Sequence, residues 1–206
     1  MRKIQQLFIT LLCFFGIMSV AYGMSDPMIM LKNTTDQLLA SLKANRAHLK
    51  SDPTFVYGLV NRILLPKVNV QVMSMSVLGR NAWSKANATE RQQFTKAFTQ
   101  TVVKTYSSAL NAYTNQAVRF YPIRGGYEGK SVLQVNSQIV RPDGGPAVPI
   151  SYSLVAQGGQ WRIYDLSVEG ISLLQSFRSQ FASELAQGQT VAQIISALQK
   201  HNLAMK

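Results

Sequence analysis

The hydrophobic pattern of this chain changes its period near residue 115. Before that point, apolar residues recur every three or four positions, which is typical of amphipathic helices. After it, apolar and polar residues alternate in four short runs, which is typical of strands with one buried face. Helical spacing returns at Ile171. The pattern predicts an α+β fold, with helices first, a four-stranded antiparallel sheet, and helices again at the end of the chain.

Capping residues divide the first half into four predicted helices. A cap followed by proline at the first helical position predicts helices over about 27–49 and 53–65, with Ser25 or Asp26 and Ser51 or Asp52 as the candidate caps. A third apolar stretch, over 68–78, ends at Gly79. Thr89 and Gln92 have the spacing of a capping box and predict the start of the fourth helix.

The fourth helix and the sheet each present one broad apolar face. The helix stripe consists of Phe94, Phe98, Val102, Tyr106, Leu110 and Tyr113. The apolar strand positions are Val118, Phe120, Leu133, Val135, Ile139, Val148, Ile150, Tyr152, Leu154, Trp161 and Ile163. The other strand positions are mostly polar, so the sheet needs a cover on one side only. A filled core and an open pocket between these faces have the same periodicity, so the pattern alone does not distinguish them.

Residues 1–23 have the features of a secretory signal peptide. Arg2 and Lys3 precede an apolar run of about 14 residues, which is short for a membrane span, and small residues follow. We expect cleavage after Ala21 or Gly23, which leaves residues 24–206 as a single domain. Cys13 lies within the leader, so the mature chain would contain no thiol for a disulfide or a cysteine metal site.

The charge balance is strongly basic. Without Arg2 and Lys3, the 21 basic side chains become 19, against 9 acidic ones. In an exported protein this excess favours anionic lipid headgroups or acidic partner surfaces. Nucleic acid is the weaker interpretation, because the basic residues are scattered singly without a dense block.

The sequence contains little that indicates catalysis. His48 and His201 are far apart, and no nucleophile elbow, phosphate-binding loop or metal-ligand cluster is present. Asp165 and Glu169 are the exception, because they lie close together in "WRIYDLSVEGISLL". Alternation places Asp165 on the apolar face beside Ile163, and Glu169 precedes a helix start. We favour a structural joint between strand and helix over acid–base catalysis.

Three segments resemble one family, the periplasmic phospholipid shuttle MlaC, also called the toluene-tolerance auxiliary protein family. They are "LLPKVNVQVMSMSVLGRNAWSKANATERQQFTKAFTQTVVKTYSSALNAY" (64–113), "WRIYDLSVEGISLLQSFRSQF" (161–181) and "GQTVAQIISALQK" (188–200). The resemblance covers nearly all of the mature chain. It implies a twisted four-stranded sheet packed with helices around an apolar cavity that takes phospholipid acyl chains.

The resemblance also implies a function. It indicates a soluble periplasmic phospholipid carrier without enzymatic activity or cofactor, whose cargo is bound phospholipid and which maintains outer-membrane lipid asymmetry. The implied partners are an outer-membrane lipoprotein–porin complex and an inner-membrane ABC transporter with a periplasmic lipid-binding ring. The alternatives are an adaptor module with a filled core, or a cavity enzyme that uses Asp165 with Tyr106 and Tyr152.

The strand and helix faces then predict the site residues. The expected cavity lining is Val70, Met73, Val77, Phe94, Phe98, Val102, Tyr106, Val118, Phe120, Val135, Ile139, Ile150, Tyr152, Leu154, Ile163, Ile171 and Leu174. The expected structural joint is Asp165, Glu169 and Gly170. We expect no metal ligand.

Overall fold

A computed structural model describes residues 24–52, 54–111 and 115–205 of the chain. The predicted leader with its cleavage sites, Pro53 and Tyr113 lie outside these ranges. Within them, no helix combines the length and the apolar character needed to cross a membrane.

Helices make up the first half, as predicted. They are α1 (Pro27–Ala44), α2 (Arg46–Ser51), α3 (Phe55–Leu59), α4 (Val70–Leu78), α5 (Arg80–Lys85) and α6 (Ala88–Asn111). A π-helical turn, Val60–Leu64, and a 3₁₀ turn, Leu65–Lys67, connect α3 to α4. Asp26 caps α1 by accepting the Met28 N–H at 2.7 Å, which confirms the predicted start.

Three helix predictions need correction. The helix expected over 27–49 breaks at Asn45, whose backbone and side-chain N–H groups both donate to the Ser41 carbonyl. The helix expected over 53–65 changes type at Val60. The cap of α6 is Asn87 rather than Thr89: Asn87 and Glu90 each donate a backbone N–H to the other's side chain at 2.9 Å. This reciprocal pair is a capping box placed two residues earlier than expected.

In the described part of the chain, the sheet has five antiparallel strands in the order of the sequence, one more than predicted. They are β1 (Ala117–Phe120), β2 (Val132–Val140), β3 (Val148–Gln157), β4 (Gln160–Val168) and β5 (Ile171–Ser172). Strand β5 exists because Glu169 and Gly170 have φ angles of 52° and 83°. Two positive φ angles form the tight hairpin that folds Ile171 back onto Val168.

A β-bulge in β4 corrects the predicted face of Asp165. Leu154 pairs with Ile163, but Ser153 pairs with Asp165 and Tyr152 pairs with Leu166, so Tyr164 is an extra residue. Directly opposite residues have their side chains on the same face. Leu166 therefore shares the face of Tyr152, and Asp165 shares the face of Ser153. The bulge also adds local twist to the sheet.

Two helices follow the sheet: α7 (Leu173–Ala186) and α8 (Val191–Ala204). Helix α7 begins at Leu173 rather than Ile171, with Ser172 as its cap. Thr190 and Gln193 form the predicted capping box of α8. Buried Asn202 holds α8 against α6 by donating to the Ala97 carbonyl and accepting from the Thr101 hydroxyl.

Among the described residues, the buried apolar side chains form three clusters. The first is aromatic and joins α6 to α7 through Phe94, Phe98, Phe177 and Phe181, whose ring centroids lie 5.0 to 6.1 Å apart. The second lies against the sheet and contains Leu31, Val135, Leu154, Trp161 and Ile163. The third joins α1, α2, α3 and the π-helical turn through Leu42, Leu49, Val56, Leu59 and Ile63. A cavity whose lining includes members of all three clusters lies where they meet.

Candidate functional site

The cavity has a volume of about 560 Å³, which lies within the range of small-molecule sites. Helix α1, the π-helical turn, the C-terminal half of α6, the sheet and the start of α7 form its walls. Most lining side chains are aliphatic or aromatic. Among the described residues, Arg141 and Asp165 are the charged side chains in the lining.

Nine of the seventeen predicted cavity residues line it. They are Met73, Val102, Tyr106, Val118, Ile139, Ile150, Tyr152, Ile163 and Leu174. Alternation places Val118, Ile139, Ile150 and Tyr152 on one sheet face, and helical spacing places Val102 and Tyr106 on the facing side of α6.

The other eight predicted residues lie elsewhere, chiefly because neighbouring side chains fill the space beside them. Val77, Phe94 and Phe98 belong to the aromatic cluster, and Val135 and Leu154 belong to the cluster against the sheet. Phe120 stacks on Tyr152, with 5.8 Å between ring centroids. Val70 faces a separate groove, and Ile171 is 65% exposed at the hairpin.

Helix α1 and the π-helical turn supply lining residues that the sequence prediction missed. These include Thr34, Thr35, Leu38, Leu39, Leu42, Val60 and Leu64, and Leu65 of the adjoining 3₁₀ turn also lines the cavity. The helical spacing of Leu31, Leu38 and Leu42 is a signal that could have identified the α1 wall. Thr34 fits an apolar wall because its hydroxyl donates to the Met30 carbonyl at 2.7 Å.

Two tyrosines contribute uncharged polar hydroxyl groups to the cavity lining. Burial raises the pKa of Tyr106 above its usual value. Burial also raises the pKa of Tyr152, and hydrogen bonding with Ser137 and Thr35 opposes that rise. Both phenols therefore stay neutral at physiological pH.

The Asp165 carboxylate connects β4 to the start of α7. Oδ2 accepts from the Ser172 hydroxyl at 2.6 Å, and Oδ1 accepts from the backbone N–H of Leu174 at 3.2 Å and of Leu166 at 2.8 Å. Ser172 in turn accepts the Gln175 N–H at 3.0 Å. These bonds satisfy donors at a helix N-terminus, where a negative charge is favourable.

The two other residues of the predicted joint have a different place. Glu169 and Gly170 form the tip of the β4–β5 hairpin, ahead of the cap at Ser172. The expected contact of Glu169 with a helix N-terminus is therefore replaced by a turn position.

A more polar groove of about 1710 Å³ lies along α6 and is separate from the cavity. Leu65, Val68, Thr99 and Val103 line both, so they form the partition between them. Gln92, Lys96 and Gln100 give the groove a polar wall that differs from the apolar cavity. Within the described ranges, no group of three or more His, Cys, Asp or Glu side chains could hold a metal ion.

A family model described as MlaC protein matches residues 32–200. The chain belongs to the MlaC family. Toluene tolerance protein ttg2D from Pseudomonas putida is 32% identical over 177 residues, which covers 86% of this chain and 80% of that protein. The intermembrane phospholipid transport system binding protein MlaC from Haemophilus influenzae is 24% identical over 163 residues, covering 78% and 75%.

A solved structure supports the architecture. It is a phospholipid-binding protein from Ralstonia solanacearum in complex with a phospholipid, and it matches with a TM-score of 0.80 at 24% identity. The match covers 88% of this chain and 99% of that one. Membership in the family and this match confirm the predicted α+β fold, apart from the fifth strand.

Proposed function

We propose that this MlaC family member is a non-enzymatic carrier that binds phospholipid acyl chains in the apolar cavity. The observation that carries the proposal is the cavity itself, a space of about 560 Å³ lined mostly by apolar side chains. A filled core, as an adaptor would have, leaves no such space. The phospholipid-binding relatives support the same chemistry.

The energetics of acyl chains fit a carrier. Each buried methylene contributes about 0.8 kcal/mol, so a chain of roughly 16 carbons is held against release into water by on the order of 13 kcal/mol. Spontaneous loss is therefore negligible. Chains in a bilayer are equally dry, so transfer between the cavity and a membrane protein is nearly neutral in free energy. Direction must then come from partner proteins.

The same reasoning extends to the cellular role. A carrier that releases lipid only to partners suits a periplasmic shuttle between an outer-membrane lipoprotein–porin complex and an inner-membrane ABC transporter with a lipid-binding ring. Such a shuttle maintains outer-membrane lipid asymmetry. The predicted leader supports export. Residues 24–206 contain 19 basic and 9 acidic side chains, and this positive balance supports docking on acidic surfaces.

Asp165 fits a structural role better than a catalytic one. Its two oxygens accept three hydrogen bonds, and two of these fix the start of α7. A general base needs an oxygen within reach of a substrate proton, whereas both oxygens of Asp165 already accept hydrogen bonds from the protein itself. The enzyme alternative therefore has little support from the geometry.

The deciding experiment is lipid extraction and mass spectrometry of the protein purified from its own periplasm without detergent. We expect stoichiometric phospholipid in the wild type. Val102→Trp fills the cavity from α6 and should lose the lipid, whereas Gln92→Trp on the exposed side of the same helix should keep it. A folded wild-type protein without lipid would contradict the carrier proposal and favour the adaptor.

A further inference from the structure

The cavity opens at the end of the sheet where β2 finishes and β3 begins. Along β3, the lining residue Ile150 is 6% exposed, while the lining residues Tyr152 and Val148 are half-buried. Val148 pairs with Ile139, two residues before Arg141, which is exposed. Of the cavity-lining side chains along β2, β3 and the turn between them, Arg141 is the exposed one, which marks this end as the mouth.

Arg141 has a distinctive place at that mouth. Among the described residues it supplies the positive charge of the cavity lining, and Asp165 is the other charged member. Arg119 lies at the same end of the sheet, but alternation puts it on the opposite face from Val118, which lines the cavity. An amphiphile with its apolar part in the cavity therefore has its polar part beside the Arg141 guanidinium.

The Arg141 guanidinium is held in position by the loop that follows it. Its Nε donates to Asp143 Oδ1 at 3.1 Å and its Nη2 to Asp143 Oδ2 at 2.5 Å. Gly145 donates its backbone N–H to the same carboxylate at 3.1 Å. A Cβ on Gly145 would lie 3.0 Å from the guanidinium Nε, so the loop backbone fits closely around this pair.

A carboxylate in this two-oxygen arrangement occupies the guanidinium edge that a phosphate diester would use. Arginine binds both groups through two parallel N–H donors. The Arg141–Asp143 pair is about half-exposed, and exposed ion pairs contribute little net stability. Exchange of one anion for the other therefore costs little.

We propose that Arg141 binds the phosphate diester of a lipid headgroup at the cavity mouth, and that the phosphate displaces Asp143 from the guanidinium. This inference rests on the proposed function, because the acyl chains hold the phosphate at the mouth. It assigns headgroup recognition to one residue and to the phosphate that all common phospholipids share.

The test uses two short-chain lipids with the same tails, dioctanoylphosphatidylcholine and dioctanoylglycerol, and protein freed of its own lipid. Phosphatidylcholine has no net charge, so general attraction to a basic protein contributes little. Isothermal titration calorimetry should show that the wild type prefers the phospholipid by about ten-fold, as expected for one charge-assisted contact at an exposed site. Arg141→Gln should abolish this preference without weakening dioctanoylglycerol binding.

Three further variants sharpen the result. Arg119→Gln removes the same charge from the opposite face of the sheet and should keep the preference. Arg141→Lys keeps the charge without the two-donor edge and should retain part of it. Asp143→Asn removes the competing carboxylate and should tighten phospholipid binding several-fold. Weaker phospholipid binding by Asp143→Asn, or an unchanged preference in Arg141→Gln, would overturn the proposal.

Two controls separate its failure from that of the carrier. Glycerophosphocholine, the headgroup without tails, should not bind measurably; binding comparable to that of the lipid would indicate a site for free phosphodiesters and overturn the lipid assignment. If the wild type binds both dioctanoyl lipids equally, the carrier stands and the Arg141 inference fails. If it binds neither, both fail.

Discussion

Removal of the Asp165 carboxylate tests the connection between the sheet and α7. In Asp165→Ala, the Ser172 hydroxyl and the Leu174 N–H lose their acceptor, and these are the two bonds that reach the helix. Hydrogen bonds to charged groups contribute about 1.5–3 kcal/mol each. Because Asp165 is half-buried and water can replace part of the loss, we expect destabilisation of about 3 kcal/mol for the pair.

The assay is urea denaturation followed by circular dichroism, with thermal unfolding beside it. A loss of about 3 kcal/mol lowers the melting temperature of a chain this size by roughly 6–12 °C. Asp165→Asn keeps an acceptor oxygen and should cost only about 1 kcal/mol. The control is Asp36→Ala, which removes an exposed carboxylate from α1 and should change little.

Two results would refute this reasoning. One is an Asp165→Ala protein that unfolds at the wild-type urea concentration, which would mean that the three hydrogen bonds contribute no net stability. The other is an Asp165→Asn protein of normal stability that no longer retains phospholipid. The carboxylate would then act on the cavity contents, and its role as a connection would be wrong.

Three other predictions follow from the fold. Phe181→Ala should lower the free energy of unfolding by about 3–5 kcal/mol in urea denaturation, because Phe181 is 1% exposed within the aromatic cluster. If the folded variant keeps its lipid content, the aromatic cluster is separate from the cavity. Glu169→Gly should raise the free energy of unfolding by about 0.5–1 kcal/mol, because glycine adopts the positive φ of 52° at the hairpin without strain. If Glu169 instead contacted a helix N-terminus, the same variant would lower the free energy of unfolding. Hydrogen bonding to Arg141 lowers the pKa of Asp143. The pairing of the two side chains is therefore complete above the ordinary carboxyl pKa and is lost as the pH falls through the lowered, folded-state pKa. Carbon NMR of Arg141→Gln should show that the pKa of Asp143 moves back up.

Period and capping chemistry predicted most of the fold because they are local signals. The strands from Val118 to Ile163 and the capping box of α8 appear where the sequence places them. Local signals failed where two patterns compete. Thr89 with Gln92 and Asn87 with Glu90 have the same capping spacing, and only the folded chain shows which pair closes.

The cavity was harder to predict because its outline depends on which parts of a face are already filled. Phe98 and Val102 are one helical turn apart on α6, yet Phe98 packs against Phe177 and Phe181 while Val102 lines the cavity. Periodicity identifies the face that they share. It contains no information on the aromatic rings of α7 that fill one end of it.

The bulge at Tyr164 shows a second limit. One additional residue reverses the alternation of the strand beyond it, so Leu166 rather than Asp165 shares the face of Tyr152. No composition signal in "WRIYDLSVEG" marks this position, because Tyr164 has a high strand propensity of its own. The predicted face of Asp165 was wrong for this reason.

The lining of the cavity begins at Thr34 and ends at Leu174, so its walls come together only in the folded chain. A ligand that binds only the folded state stabilises it, by about 2.7 kcal/mol when its concentration is a hundred times its dissociation constant. Melting temperatures of loaded and delipidated protein measure this difference directly. Delivery of the lipid would therefore leave the carrier closer to unfolding, and proteases that attack open chains would remove idle carriers faster than working ones.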